Sequence, residues 1–474
     1  MSEQLHWDPE LIQRYNRSGP RYTSYPTAVE FKVVENDQVE RDLLSQRDQD
    51  VPLSLYLHIP FCAHVCYYCG CNKIVTKDRS KSEPYLDLLK AEIDRKAELL
   101  QGHPIVQQMH WGGGTPTFLS DDQMSELMDH LRKRFNFSTD DSADYSIEID
   151  PREVRPNTLK LLREIGFNRT SFGVQDLNEK VQQAVNRIQP ESLIRKVMIE
   201  ARELGFRSIN IDLIYGLPHQ TQETFAETLD VIIDMSPDRL SVFNYAHLPE
   251  RFKPQRRIKE EDLPSPEEKL AILGNCITTL TEVGYHYVGM DHFAKPDDEL
   301  SRAQGAKELH RNFQGYTTHG DCDLIGFGVS SISQISDCYL QNSPDINAYE
   351  DAINNNQFPV VKLITTDTDD LIRRQVIMEL LCHDQMIFAE LDTAFSIDSQ
   401  TYFADELSQL SPMIEDELLE VSTEGIHITE KGRLLVRNAC MVFDTYLNSN
   451  IIQTYSASAD ASTPVNRPRF SKAI

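Results

Sequence analysis

Four of the nine cysteines, Cys62, Cys66, Cys69 and Cys71, stand within ten residues in the stretch PFCAHVCYYCGCNK, which begins at Pro60. Thiols crowded into one short segment can pair as disulfides, hold a zinc ion, hold an iron–sulfur cluster or relay redox equivalents. The cysteine count is odd, the N-terminus has no basic and apolar leader, and no run of about 18 apolar residues occurs. These features point to a cytoplasmic protein with no membrane insertion, whose thiols stay reduced, and they weaken the disulfide reading. Zinc sites usually join two separated ligand pairs, and no second pair follows, although His64 is available as a fourth ligand. A loop of the form Cys-x3-Cys-x2-Cys can bring three thiolates to one inorganic core, and Cys71 follows Cys69 too closely to share that core comfortably. A four-iron cluster held by three cysteines would leave one iron open to a ligand. Cys276, Cys322, Cys338, Cys382 and Cys440 lie among apolar neighbours and read as small core residues.

A second motif, GGGTPT from Gly112 to Thr117, lets backbone N–H and C=O groups approach a ligand closely, because glycine has no side chain. An aminocarboxylate has a partner for each of those groups. Taken alone, the motif is as well explained by a tight turn.

The elements that must position these motifs form a repeating pattern. From Val51 to about Ile335, β-rich runs such as PLSLYLHI, IVQQMHW, DYSIEID, RTSFGVQ, SINIDLIYG and RLSVFNYAHL alternate with segments of helical period such as SEPYLDLLKAEIDRKAELL. The pattern indicates α/β architecture, with βα units around a mostly parallel sheet that is open, barrel-shaped or partly so. Ligands bind such sheets at the C-terminal ends of the strands. The cysteine loop follows LYLHI, GGGTPT follows QMHW, Glu148 ends DYSIE, Gln175 ends SFGVQ and YGLP follows NIDLI, so all five converge on one site.

Five segments follow: an N-terminal arm (1–50), the βα block (51–340), a connection (341–364), a mainly helical domain (365–447) and a tail (448–474) whose Ser, Ala and Pro content predicts flexibility. The helical domain includes a hairpin-like LLEVSTEGIHIT and so has the pattern of a winged helix. Its 17 acidic against 5 basic residues between Thr365 and Leu447, and the chain's net charge of −27, argue against nucleic-acid binding.

The stretches YNRSGPRYTSYPTA, YLHIPFCAHVCYYCGCNKIVT, HWGGGTPTFL, SFGVQD, DLIYGLPHQT, VGMDHFA, RNFQGYTT and IGFGVSSIS resemble the oxygen-independent coproporphyrinogen III oxidases, a family of the radical S-adenosylmethionine superfamily. The resemblance spans about Tyr15 to Leu447. It implies a partial (β/α) barrel with an N-terminal arm and a small, mainly helical C-terminal domain. It also implies a [4Fe–4S] cluster on Cys62, Cys66 and Cys69, its fourth iron chelated by S-adenosylmethionine, and a second S-adenosylmethionine nearby. Carried over motif by motif, the first cofactor meets Tyr56, Gly113, Glu148 and Ile332. The second meets Tyr68, Gly114, Thr115, Gln175, Arg187, Asp212 and Ala246. Tyr56 and the four clustered cysteines are the implied catalytic set, and Cys71 distinguishes the oxidases from heme-binding relatives that lack it.

The implied reaction converts two propionate side chains of coproporphyrinogen III to vinyl groups through a 5′-deoxyadenosyl radical, giving protoporphyrinogen IX and CO2. A low-potential donor such as flavodoxin or ferredoxin would supply electrons to a monomeric cytoplasmic enzyme. The substrate carries four carboxylates, which a chain of charge −27 repels unless cations stand locally. Arg21, Arg311, and Arg256 and Arg257 within RFKPQRRIK are the expected contacts.

Overall fold

A computed structural model describes residues 5–447; the tail expected over 448–474 lies outside the described residues. Six parallel strands stand side by side in chain order: β1 (Leu53–Ile59), β2 (Ile105–Gly113), β3 (Asp144–Ile149), β4 (Arg169–Gln175), β5 (Ser208–Tyr215) and β6 (Arg239–Asn244). Helices α1 (Ser82–Leu99), α2 (Asp121–Arg134), α3 (Thr158–Glu164), α4 (Glu191–Glu203) and α5 (Gln222–Met235) return the chain between successive strands. The starts of α2 and α5 are fixed by capping boxes, Ser120 with Gln123 and Thr221 with Thr224, each satisfying otherwise orphaned backbone donors.

Beyond β6 the sheet adds the antiparallel pair β7 (His286–Gly289) and β8 (His292–Ala294), with β8 against β6. Beyond β1 it adds β9 (Asp323–Phe327), parallel to β1, and then the antiparallel strands β10 (Ile332–Ile335), β11 (Cys338–Asn342) and β12 (Val360–Thr365). A two-residue strand of the arm, Lys32–Val33, edges β12, and it does not meet β7 at the other end of the sheet. The barrel is therefore partial. Residues 341–364, expected as a connection, carry the end of β11, the helix Ile346–Asn354 and most of β12, so this stretch extends the main sheet.

The strands alternate apolar and polar residues because their two faces meet different surroundings. Leu55, Leu57, Met109, Trp111, Ile147, Phe172, Ile211 and Val242 are fully or almost fully buried in the core that the helices cover. The intervening residues form a polar lumen, among them Gln108, Asp144, Ser146, Arg169, Ser171, Asn210 and Ser241. Its floor is closed by ion pairs: Arg169 to Asp144 at 3.1 Å, and Arg239 to Asp298 and Glu299, each at 2.9 Å.

The C-terminal domain packs α7 (Thr368–His383, after α6, Pro266–Glu282) and α8 (Val436–Val442) beside a three-stranded antiparallel sheet of Gln385–Ile387, Gly425–Ile428 and Leu419–Val421. Tyr15, Tyr22 and Tyr25 of the arm belong to this domain's apolar core. Glu40 of the arm meets the buried Lys96 of α1 at 2.8 Å, so the arm is tied to barrel and C-terminal domain alike. Among the described residues no helix is long and apolar enough to cross a membrane.

Candidate active site

A cavity of about 410 Å3 opens at the C-terminal ends of the strands and descends into the polar lumen. Of the residues expected from the sequence, Cys62, Cys66, Tyr68, Cys69, Cys71, Gly113, Gly114, Thr115, Glu148, Gln175, Arg187 and Asp212 line it. The cysteine loop is anchored along its length. Ile74 N–H donates to the Pro60 carbonyl at 2.6 Å and Thr76 N–H to that of Cys62 at 2.9 Å, while Asn186 and Gln255 side chains donate to the Val65 and Tyr68 carbonyls at 2.7 and 2.8 Å.

All nine cysteines are free. Arg187 and Arg152 direct N–H groups at Cys66 Sγ, at 3.3 and 3.5 Å, and Thr115 Oγ1 lies 3.6 Å from Cys62 Sγ. A hydrogen bond from Cys71 holds the Cys69 thiol down at about 5, assisted by Lys73 and opposed by burial. Thiols facing one cavity beside cationic donors form a donor set suited to an iron–sulfur cluster. Among the described residues no group of three His, Cys, Asp or Glu side chains is disposed around a single metal ion.

The glycine motif leaves β2 beside this loop. Gly113 has φ +108°, and a Cβ there would stand 2.5 Å from the His58 ring. Its N–H donates to Glu148 Oε2 at 3.1 Å. Gly114 N–H donates to the Ile59 carbonyl at 2.8 Å, with no room for a Cβ against the Pro60 and Phe61 backbone. Burial raises the Glu148 pKa, but hydrogen bonds from His110 and Gly113 more than offset it, so Glu148 lies below the usual carboxylate range. Tyr56 stacks on His110 with ring centroids 5.9 Å apart, and its hydroxyl pairs with His58 Nδ1 at 3.1 Å. Ile332 begins β10, and its carbonyl lies 2.7 Å from where Gly326 would carry a Cβ; Gly326 is the residue paired with Tyr56.

On the other side, Gln175 ends β4 at φ 72°, a left-handed conformation that a glutamine seldom adopts, beside a shift in strand register. Its Oε1 is buried without a hydrogen-bond partner, as is Arg187 Nε. Such groups at a cavity wall fit a polar ligand that completes them. Arg187 also meets Asp150 at 3.1 Å. Burial raises Asp150, but Arg187 and Arg152 outweigh it and hold it at about 2. Asp212 is instead pushed up to about 6 by burial and by the charge of Glu148, with hydrogen bonds from Ser171, Ser241 and Asn210 offsetting part of the rise. Ala246 is exposed; its carbonyl shares the Gln255 amide with Tyr68, which places it beside the cysteine loop.

The expected cations divide into two places. Arg21 is paired with Asp291, and Arg311 lies over the ring of Tyr316 at 4.7 Å; Tyr316 and His292 line the cavity, whereas Arg21 and Arg311 do not. Arg311 Nη1 is buried without a hydrogen-bond partner. Arg256 and Arg257 are exposed on the outer surface and are not among the cavity-lining residues.

Sequence reasoning missed His58, His110, Asp150, Arg152 and the polar lumen. The signal was present as alternation: Asp144, Ser146 and Glu148 on β3, and Ser208, Asn210 and Asp212 on β5, are every second residue. Read as one face, they predict a polar barrel interior rather than a packed one.

Residues 56–232 match the family profile described as Radical SAM superfamily, and residues 367–435 match the HemN C-terminal domain. The oxygen-independent coproporphyrinogen III oxidase of Pseudomonas aeruginosa is 52% identical over 476 residues, covering 100% of both chains. The Escherichia coli protein of the same name is 52% identical over 94% of this chain and 96% of its own. A solved structure described as coproporphyrinogen III oxidase (HemN) from Escherichia coli, a radical SAM enzyme, superposes with TM-score 0.90 at 50% identity, covering 94% of this chain and 100% of that one.

Proposed function

The chain belongs to the oxygen-independent coproporphyrinogen III oxidase family of the radical S-adenosylmethionine superfamily, and from this premise we propose that it oxidatively decarboxylates two propionates of coproporphyrinogen III, giving protoporphyrinogen IX. The observation that carries the proposal is the joint opening of Cys62, Cys66 and Cys69 onto a cavity walled by Gly113 to Thr115, Glu148 and Asp212. Those three cysteines would hold a [4Fe–4S] cluster; with S-adenosylmethionine bound, the cluster supplies the one-electron cleavage that drives hydrogen-atom abstraction.

The chain's own residues position and exclude. Gly113 and Glu148 offer an acceptor and close backbone approach to an aminocarboxylate, and Tyr56 and Ile332 would complete that site, Tyr56 through its stack on His110. Gln175, Arg187 and Asp212, with Tyr68, Gly114, Thr115 and Ala246, would hold a second S-adenosylmethionine. Arg187 suits its carboxylate, and Asp212 its ribose hydroxyls or ammonium. The enclosing strands hold the propionate β-carbon near the reacting centre and keep bulk water out. Arg21 and Arg311, which stand behind the lining residue Tyr316, would meet the propionates. Electrons come from a low-potential carrier such as flavodoxin or ferredoxin.

Anaerobic reconstitution with iron and sulfide, then S-adenosylmethionine, reductant and coproporphyrinogen III, tests the reading. Protoporphyrinogen IX formed together with deoxyadenosine and methionine is expected. Cluster assembly with tight heme binding and no decarboxylation would refute it.

Two further outcomes are expected. Arg311→Ala raises the KM for coproporphyrinogen III about tenfold, the loss of one charge-assisted pair of ~1.5 kcal/mol, with kcat little changed. An unchanged KM would place the carboxylates elsewhere. S-adenosylmethionine affinity falls as pH drops through about 6, because the Asp212 carboxylate becomes protonated there and ceases to accept from an ammonium or hydroxyl. A folded-state pKa above the unfolded value means that the protonated form is favoured in the fold. This group therefore adds stability as pH falls from about 6 towards the ordinary aspartate range, and weakened binding in that window is not unfolding. Calorimetric titration of the cofactor across pH should show the limb, and Asp212→Asn should remove it.

A further inference from the structure

The chain has 74 acidic and 47 basic residues, yet two short segments reverse that balance. KIVTKDRSK, from Lys73 to Lys81, holds four basic residues and one acidic, and RFKPQRRIK, from Arg251 to Lys259, holds five basic and none acidic. They are far apart in sequence, and the fold sets both against the cysteine loop. Lys73 Nζ donates to the Cys69 carbonyl at 3.0 Å. The Phe252 ring closes over Gly70, 3.0 Å from where a Cβ would stand. Arg257 donates to the Tyr67 hydroxyl at 3.2 Å and lies over its ring at 5.1 Å.

Lys77, Lys81, Arg251, Lys253, Arg256 and Arg257 are exposed, and among the described residues none of these six has a carboxylate within 4.0 Å. Of the nearby acids, Glu153 pairs with Arg79 and Glu261 meets Lys259 at 3.7 Å, while Asp78 accepts from Ser80 and feels the charge of Lys81 without meeting it within 4.0 Å. Cations without a carboxylate partner on so acidic a protein create a local attractive field. Cys69, half-buried, and Cys71, exposed, are the outermost thiols of the loop that Lys73, Phe252 and Arg257 contact.

Resting on the reading of that loop as a cluster site, we propose that this basic rim is the docking surface for an acidic one-electron carrier protein. The carrier is oxidised by one electron and the cluster reduced by one for each S-adenosylmethionine cleaved. Lys73 reaches the cavity lining, but the six exposed cations stand outside it, so they face a macromolecule rather than the porphyrinogen. Opposite charge on the carrier speeds encounter and fixes its orientation, an effect that salt screens.

The test reconstitutes the unaltered protein, Lys77→Glu/Lys81→Glu and Lys253→Glu with their clusters, and follows cluster reduction by the decay of its visible absorbance. The reductants are a reduced acidic ferredoxin and, separately, dithionite. With the ferredoxin at low ionic strength, the variants should be reduced about tenfold more slowly or worse, and the difference should shrink as salt is added. With dithionite all three proteins should react alike. Equal rates with the ferredoxin would overturn the proposal, as would a raised KM for coproporphyrinogen III in dithionite-driven assays with ferredoxin rates unchanged. Failure of the unaltered protein to take up a reducible cluster would instead overturn the reading of the cysteine loop, and the docking surface with it.

Discussion

Cys62→Ser, Cys66→Ser and Cys69→Ser should each yield a folded protein that fails to retain the cluster and cleaves no detectable S-adenosylmethionine, whereas Cys71→Ser should keep the cluster and lose turnover. A serine hydroxyl stays protonated at neutral pH and is a poor substitute for a thiolate at iron, and with only three ligands the loss of one leaves the core half-held. Fold should survive, because the loop is anchored by backbone groups of Pro60, Cys62, Val65 and Tyr68 rather than by the thiols. Cys71 stands apart: it is exposed and donates its hydrogen bond to Cys69. Iron and sulfide analysis after anaerobic reconstitution, with the visible spectrum, separates the two classes. Loss of iron in Cys71→Ser equal to that of the others would make Cys71 a ligand.

The second large effect is expected at Gly113. Alanine there meets two obstacles at once: φ of +108°, which L-residues avoid, and the His58 ring 2.5 Å from the new Cβ. The ring cannot simply yield, because its nitrogens are held by Tyr56 at 3.1 Å and by the Asn72 carbonyl at 2.9 Å. The strand end must move, taking with it the N–H that meets Glu148. Displacements of about 1 Å at a reacting centre cost on the order of 10²-fold, so kcat/KM should fall at least that far in Gly113→Ala while the thermal midpoint moves by only a few degrees. The double variant with His58→Ala is informative. If the clash is the cause, the cofactor affinity lost in Gly113→Ala should be partly restored, and strictly additive losses would exclude that cause.

Much of the site was legible because chemistry and spacing are both local in the sequence. Three cysteines in one loop, three consecutive glycines at a strand end, and Glu148, Gln175 and Asp212 near the ends of βα units need only the rule that such loops gather at one edge of a parallel sheet. The cavity lining contains all of them except Gly112. The polar lumen was less visible, since a strand in a parallel sheet usually reads as apolar on both faces, and alternate Ser, Asn and Asp look like solvent exposure until the strands curl round them.

What the sequence determined by itself is therefore the inventory and its order: the cysteine loop, the glycine turn, the alternation of strand and helix, the acidic surplus and the family resemblance. Each depends on neighbours along the chain. Tertiary structure alone decided which groups act together across long separations. It set Arg21 on Asp291 and Arg311 behind Tyr316, turned Arg256 and Arg257 outward, and joined residues 73–81 to 251–259 around the cysteine loop. A cation's role follows from the carboxylates and apolar walls within a few ångströms of it. Folding brings those neighbours from anywhere in the chain, so residue type and spacing could name the arginines but not what each one faces.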